Sequence, residues 1–278
     1  MTAATIRLTA EQIAGFHRDG FLALGPLTDP GELAELRTTY DRHFAARSGR
    51  AEGRQFDLFG DDSDPDRANV PQILGLSQDE PGLRETVLWA NARSVLAQLF
   101  GAEPDYFGDH AINKPARCAK ATPWHQDEAY WGGRDDHLSA SIWVPLQDVD
   151  TGNGCMHFIP RSHWGEVLPH RSEGGNPAVH GLELDGDFPG LLDGAVACPL
   201  PAGGCTVHHQ RTLHYTTPNA SDESRRAWIM VGGVTAHRRQ VARPQPWEDA
   251  KHTLRVARAR EHAARLEALK AAQPAALA

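Results

Sequence analysis

From Asp105 onward the chain is cut by Gly, Pro, Asn and Asp into short apolar stretches, and this punctuation limits its fold more than any other feature. The stretches fall at 105–114, 138–148, 155–160, 195–199, 204–209 and 226–236, lengths that suit strands. Upstream the texture is helical. Thr9-Ala10-Glu11-Gln12 is a capping box opening a short helix, and Asp29-Pro30-Gly31-Glu32 opens a second that runs to about Ala46. Asn91 is expected to cap a third, Ala92 to Phe100, ended by Gly101. Between them, 48–71 is rich in Gly, Asp and Arg without periodicity and predicts a long loop, a candidate lid. Residues 247–270 predict a charged, alanine-rich helix, with Gln273 to Ala278 frayed behind it.

Helices followed by strands predict a mainly β fold with flanking helices, a double-stranded β-helix (jelly roll, cupin-like). The core is expected at about 104–237, on a helical support at about 8–101, in one domain spanning 1–278. A chain of 278 residues with 40% hydrophobic content can bury one such core. Its net charge of −8 gives no electrostatic footprint for nucleic acid, and no apolar run approaches the ~18 residues of a membrane span. A cytoplasmic monomer or homodimer acting on a small molecule is therefore expected, with no nucleic-acid or membrane partner. The four cysteines form no C-x-x-C pair, which argues against a zinc knuckle or redox pair. The absence of G-x-S-x-G, Walker and H-E-x-x-H patterns removes common hydrolase, nucleotide-binding and metalloprotease chemistries.

The chemistry is concentrated in Pro123-Trp124-His125-Gln126-Asp127. Residues two apart on an extended strand project from the same face, so His125 and Asp127 can grip one ion. His214, from another strand, is the candidate third ligand. Two imidazoles and one carboxylate on one face hold non-haem Fe(II) and leave positions open for oxygen chemistry. His17 and Asp19 repeat the spacing, but in a helical segment, where such residues diverge. Spacing alone also allows His209 in place of His214. His208 and His209 alternate faces on a strand leading to His214, which puts one of them near the site. His157, His163, His170, His180 and His237 read as structural or surface residues.

Further motifs follow in order: Ser141-Ile142-Trp143-Val144-Pro145-Leu146, Asn153-Gly154 through Pro160-Arg161-Ser162-His163, His208 through His214, Pro218-Asn219 and Ser224-Arg225-Arg226-Ala227. With Leu8-Thr9 and Gly20-Phe21-Leu22, this series resembles the phytanoyl-CoA dioxygenase family of Fe(II)- and 2-oxoglutarate-dependent oxygenases, over about residues 8–237. The resemblance implies that His125, Asp127 and His214 bind Fe(II), with 2-oxoglutarate and dioxygen as cosubstrates. Arg225 matches the family arginine that pairs with the remote carboxylate of 2-oxoglutarate, a role that suits a planar guanidinium. Thr216 matches a residue touching the same carboxylate, Trp143 a residue lining that pocket, and Trp131 an aromatic near the iron on the substrate side. Two positions depart from the family pattern. Tyr215 replaces a common glycine and is expected to narrow the pocket or redirect the substrate; Arg161 replaces a glycine before Ser162-His163 and is expected to alter only a turn. Arg226 falls on the opposite strand face and is expected to be solvated.

The implied activity is hydroxylation, or a related oxidation, of a small organic molecule. Related halogenases have a small residue where Asp127 stands, so halogenation is not expected. The alanine- and arginine-rich composition suggests bacterial specialised metabolism, with lipid or acyl-CoA catabolism as the alternative. A non-catalytic cupin-like metal binder and a zinc hydrolase also fit two histidines and an aspartate, but the former does not call for Arg225 and Thr216 facing the site. Substrate contacts are expected in 48–72, Glu128–His137 and 166–193.

Overall fold

Three sheets with helices around them are built from residues 4–131 and 133–272, the part of the chain that the computed structural model describes. The strands are β1 Phe21–Leu24, β2 Gln55–Asp57, β3 Pro71–Leu74, β4 Tyr106–Lys114, β5 Thr122–His125, β6 Asp135–Pro145 and β7 Met156–Phe158. They continue as β8 His170–Ser172, β9 Leu182–Leu184, β10 Val196–Cys198, β11 Cys205–His209, β12 His214–Thr216 and β13 Arg225–Arg238. The α-helices are α1 Ala10–Asp19, α2 Pro30–Ala46, α3 Leu76–Asp79, α4 Val87–Phe100, α5 Pro246–Asp249 and α6 Leu254–Ala272.

Seven strands in the order β1-β11-β6-β13-β4-β3-β2 form the major sheet, and four in the order β10-β7-β12-β5 the minor one. Strands β8 and β9 form a separate ribbon. The two larger sheets are the layers of the expected jelly roll. Period-two alternation on β13 shows why they stack as they do. Trp228 and Met230 point toward the helices and join a core with Ile142, Val144 and Val207 of the same sheet and Leu88, Val95 and Leu96 of α4. Ala227 and Ile229 point the other way and pack with Trp143, Met156 and Phe158 between the two sheets. Arg225 shares the parity of the second set, so the strand carries it into the interior.

The α1 capping box forms as expected: Gln12 N–H donates to Thr9 Oγ1 at 3.2 Å, and Thr9 N–H to Gln12 Oε1 at 2.8 Å. Three expectations are corrected. Helix α4 begins at Val87 under a Thr86 cap, and Asn91 lies inside it. Its amide is satisfied by the N-terminal segment instead, accepting from the N–H groups of Thr5 and Ile6 and donating to Leu27 O. The 48–71 segment is no lid, because it contains β2 and buries Phe56, Leu58 and Phe59. The Asp57 carboxylate pins it by accepting from the backbone N–H groups of Phe59, Asn69 and Val70. The expected 247–270 helix is interrupted at 250–253 and resumes as α6; residues 273–278, expected to fray, lie outside the described residues. Strands β1, β2, β3, β8 and β9 went unread because three or four residues carry too little periodicity to be recognised.

Candidate metal centre and cosubstrate pocket

Strand β12 pairs with β5, and His214 is the direct cross-strand partner of His125. This register sets the two rings 4.1 Å apart between centroids. Strand β5 ends at His125, so the expected single strand bearing both His125 and Asp127 is corrected. Gln126 is still extended, which keeps both side chains on one side, and Asp127 then opens a 3-10 turn, Asp127–Tyr130. The ligand atoms of His125, Asp127 and His214 all lie within 4.8 Å of one another.

The surroundings aim these atoms at a common point. His125 Nδ1 lies 2.7 Å from Pro123 O, and His214 Nδ1 2.9 Å from Thr212 O. A carbonyl only accepts, so each Nδ1 carries the proton and each Nε2 presents a lone pair. Burial holds both imidazoles below the usual histidine range, which keeps them neutral. Asp127 Oδ2 accepts from Ser141 Oγ at 2.6 Å and from His208 Nε2 at 3.2 Å, leaving Oδ1 toward the histidines, 3.5 Å from His214 Nε2 and 3.9 Å from His125 Nε2. Burial alone would raise this carboxyl, but the hydrogen bonds donated by His208 and Ser141 favour its charged form and keep it below the usual carboxylate range. Two neutral imidazoles and a carboxylate are the donor set that a non-haem iron takes. His209 is not part of it, since its ring packs against His163.

One cavity of about 840 Å³ joins this trio to Trp143, Thr216 and Arg225. Arg225 is only 2% exposed, and its Nε and Nη1 are buried without a hydrogen-bond partner. Its guanidinium lies over the Trp143 ring, 5.3 Å from the centroid. Burial lowers its pKa to about 10, so it stays charged at neutral pH. Lys114 is its cross-strand partner, fully buried, donating to Thr216 Oγ1 at 2.9 Å and Thr217 O at 2.7 Å. Two buried basic side chains directly opposite one another cannot both carry their charge at low cost unless an anion lies between them. Gly154, at φ 93, keeps this corner open: a Cβ there would sit 3.5 Å from Arg225 Nε and 3.2 Å from Thr217 O.

Sequence reasoning missed Lys114, Ser141 and Glu128; it left open which of His208 and His209 approaches the site. The signal was parity: Ser141 shares a strand face with Trp143, and Lys114 lies opposite Arg225 once β4 and β13 are paired. Trp131 lines the cavity, as do Leu58 and Gln72 from 48–72, Tyr130 and His137 from 128–137, and His180 from 166–193. Tyr215 is a correction. It lies between two inward residues of β12, so it points out of the sheet and stacks on Trp124 with centroids 5.3 Å apart, away from the cavity. Arg161 has φ 66, a left-handed turn position where the family glycine would sit unstrained. Arg226 faces outward and pairs with Asp41 at 2.6 Å.

Glu128 fixes the turn that presents Asp127. Its carboxylate accepts from Gln210 Nε2 at 2.8 Å and Arg211 Nε at 2.6 Å and also pairs with Arg243. Burial opposes ionisation, yet Arg211 and Arg243 lower its pKa. Glu128→Ala is expected to destabilise the fold by about 2–3 kcal/mol, because it removes the nearest carboxylate from two partly buried guanidinium groups and leaves them the more distant Asp136, 3.8 Å from Arg211 and 3.6 Å from Arg243. With a lowered folded-state pKa, the contribution is full above the ordinary glutamate value of about 4.3 and is lost as pH falls through the lowered one. Urea midpoints of wild type and variant, compared from pH 7 downward, check this: the gap should close only in acid.

The model of the family described as "Phytanoyl-CoA dioxygenase (PhyH)" matches residues 16–227. The chain belongs to the phytanoyl-CoA dioxygenase family. Among its relatives, the peroxisomal phytanoyl-CoA dioxygenase of Mus musculus is 27% identical over 233 residues, 79% of this chain and 67% of that one. The crystal structure of EvdO2 from Micromonospora carbonacea var. aurantiaca superposes with a TM-score of 0.76 at 32% identity, covering 88% of this chain and 99% of EvdO2. EvdO2 complexed with 2-oxoglutarate gives 0.74 at 31% identity, with the same coverage. As a member of the phytanoyl-CoA dioxygenase family, this protein is an Fe(II)- and 2-oxoglutarate-dependent dioxygenase, with dioxygen as the second cosubstrate. No described helix is long and apolar enough to cross a membrane.

Proposed function

We propose that this dioxygenase hydroxylates a small organic molecule in bacterial specialised metabolism. In this reading His125, Asp127 and His214 hold Fe(II), Arg225 and Thr216 take the remote carboxylate of 2-oxoglutarate, and Trp143 lines that end of the cavity. Trp131 belongs to the substrate side. The observation that carries the proposal is the buried, unpaired Arg225 guanidinium in the same cavity as the trio. A metal-binding module without a cosubstrate gives no reason to bury an unpaired cation there. The bacterial setting is supported by the composition and by the similarity to EvdO2.

Fe(II), with 2-oxoglutarate and dioxygen, supplies oxidative decarboxylation coupled to oxidation of a substrate C–H bond. The chain's own residues orient and protect that chemistry. Arg225 fixes the cosubstrate by its far end, with Lys114 holding the Thr216 oxygen as an acceptor so that its O–H is free to donate to the carboxylate. Ser141 and His208 keep the Asp127 carboxylate turned toward the histidines. With the metal bound, that carboxylate would fill the position that a halogenase leaves to halide, so oxygen transfer is the expected outcome. Product mass spectrometry under labelled dioxygen in chloride buffer tests it, using candidate substrates that stimulate succinate formation. One labelled oxygen per product is expected; a chlorinated product, or succinate release that no organic substrate stimulates, would overturn the proposal.

A further inference from the structure

The far wall of the cavity holds a cation, Arg255, that no carboxylate pairs with directly; Glu248 acts on it only at longer range, and burial outweighs that support. Arg255, in the first turn of α6, lines the cavity with its guanidinium stacked over the Phe56 ring, 4.9 Å from the centroid. Its Nε is buried without a hydrogen-bond partner, and no carboxylate among the described residues lies within ion-pairing distance of it. The charged groups around it are already engaged. Glu248, on the same wall, pairs with Lys251, and Arg258, one helical turn on, pairs with Asp62. Lys251 lies over the Tyr130 ring, 4.9 Å from its centroid. Arg134, also on the cavity wall, has no carboxylate partner among the described residues either.

Arg255 is connected to the metal centre by a series of ring contacts, of which His180, Tyr130 and His125 line the cavity while Phe56 lies buried behind it. Phe56 meets His180 edge-on at 4.9 Å, His180 lies 5.6 Å from Tyr130, and Tyr130 meets His125 edge-on at 5.9 Å. Burial and the Lys251 and Arg255 charges hold His180 well below the usual histidine range, so that ring adds no second fixed charge. The Tyr130 phenol oxygen accepts from Leu182 N–H at 2.7 Å, which fixes the ring in place. The His180 and Tyr130 rings thus line the cavity between the metal centre and the unpaired Arg255 guanidinium. A half-buried arginine left unpaired in this way leaves its desolvation uncompensated unless the ligand brings the anion.

We propose that Arg255 is a substrate-binding residue and that the substrate carries a carboxylate, phosphate or sulfate that pairs with it, the remainder of the molecule lying along the His180 and Tyr130 rings toward the iron. The proposal rests on the oxygenase reading of the site. It gives the cavity two anion-seeking ends: Arg225 for the cosubstrate and Arg255 for the substrate.

The test is calorimetric titration of the full-length protein, held anaerobic and saturated with Fe(II) and 2-oxoglutarate, with matched probes. Phenylacetate, phenyl phosphate and 4-nitrophenyl sulfate are compared with neutral phenylacetamide and benzyl alcohol. At least one anion is expected to bind about tenfold more tightly than its neutral counterpart, and which anion does so identifies the group. Arg255→Gln should abolish the preference and Arg255→Lys should retain part of it, while 2-oxoglutarate affinity stays unchanged in both. Equal binding of anions and neutrals to wild type, binding of none of the anions, or a preference that survives in Arg255→Gln overturns the proposal. Anion binding seen only when 2-oxoglutarate is omitted marks occupation of the Arg225 end and also overturns it. Failure of the protein to bind 2-oxoglutarate at all would instead sink the underlying oxygenase reading.

Discussion

Asp127→Ala, His125→Ala and His214→Ala should each abolish 2-oxoglutarate turnover while leaving the far-ultraviolet circular dichroism of the protein intact. The three ligand atoms converge within 4.8 Å, and each histidine is held in its metal-binding tautomer by a backbone carbonyl. Loss of one ligand removes a coordination bond outright. Partners that merely orient a ligand cost about 10–100-fold when removed, so Ser141→Ala and His208→Phe should fall in that range and the ligand variants well below it. Turnover alone would not separate a lost metal from a misplaced substrate. Thermal unfolding with and without Mn(II) does, because an ion bound only by the folded state raises the midpoint, and that rise should vanish in the three ligand variants. Wild-type turnover in any of them would remove that residue from the metal set.

Arg225→Lys is expected to weaken 2-oxoglutarate binding by about 1–3 kcal/mol, the value of a lost charge-assisted bond. An ammonium cannot reproduce the planar fork, and it would stand beside Lys114. Burial and the neighbouring Arg225 already push the Lys114 pKa down to about 6, so the free protein holds it largely as the neutral amine at pH 7. A carboxylate arriving between the two favours the ammonium. Binding should therefore draw in a proton, and wild-type affinity should fall as pH rises above about 6, a slope that Lys114→Met flattens. Calorimetric titrations of 2-oxoglutarate in buffers of differing ionisation enthalpy measure both effects. An unchanged dissociation constant in Arg225→Lys would point to another cation as the carboxylate's partner.

The parts of this protein that were legible in its sequence are those where one residue has one physical use. Thr9 with Gln12, and Asp29 with Pro30, announce helix starts because capping is local. The His125–Asp127 pair announced itself because an extended chain fixes which side chains share a face. Lys114 was invisible for the opposite reason. Its meaning comes only from standing across from Arg225, a pairing between residues more than a hundred positions apart. Ser141 and His208 are cross-strand partners of the same kind and converge on Asp127 only once β6 and β11 are in register. Asn91 misled because an asparagine that usually caps a helix can also be buried within one if another segment supplies donors. Tyr215 misled because a family departure beside a metal ligand invites a role in the pocket, whereas alternation along β12 turns it away.

The grip of α6 on the 48–71 segment has a consequence for how this protein behaves in company. Strand β2 is one of the two edge strands of the major sheet, β1 being the other. Arg258 reaches across it, donating from Nη2 to Gln55 O at 3.3 Å and from Nε to Arg50 O at 3.1 Å, and its ion pair with Asp62 anchors it there. Carbonyls on an open sheet edge are a template on which a second chain can add a strand. Here the guanidinium takes up the hydrogen-bonding capacity of the Gln55 carbonyl, and the helix that carries it covers that margin. The C-terminal helix thus guards the β2 edge against strand addition, and a chain shortened before Arg258 would carry a sticky margin there even with its metal centre intact.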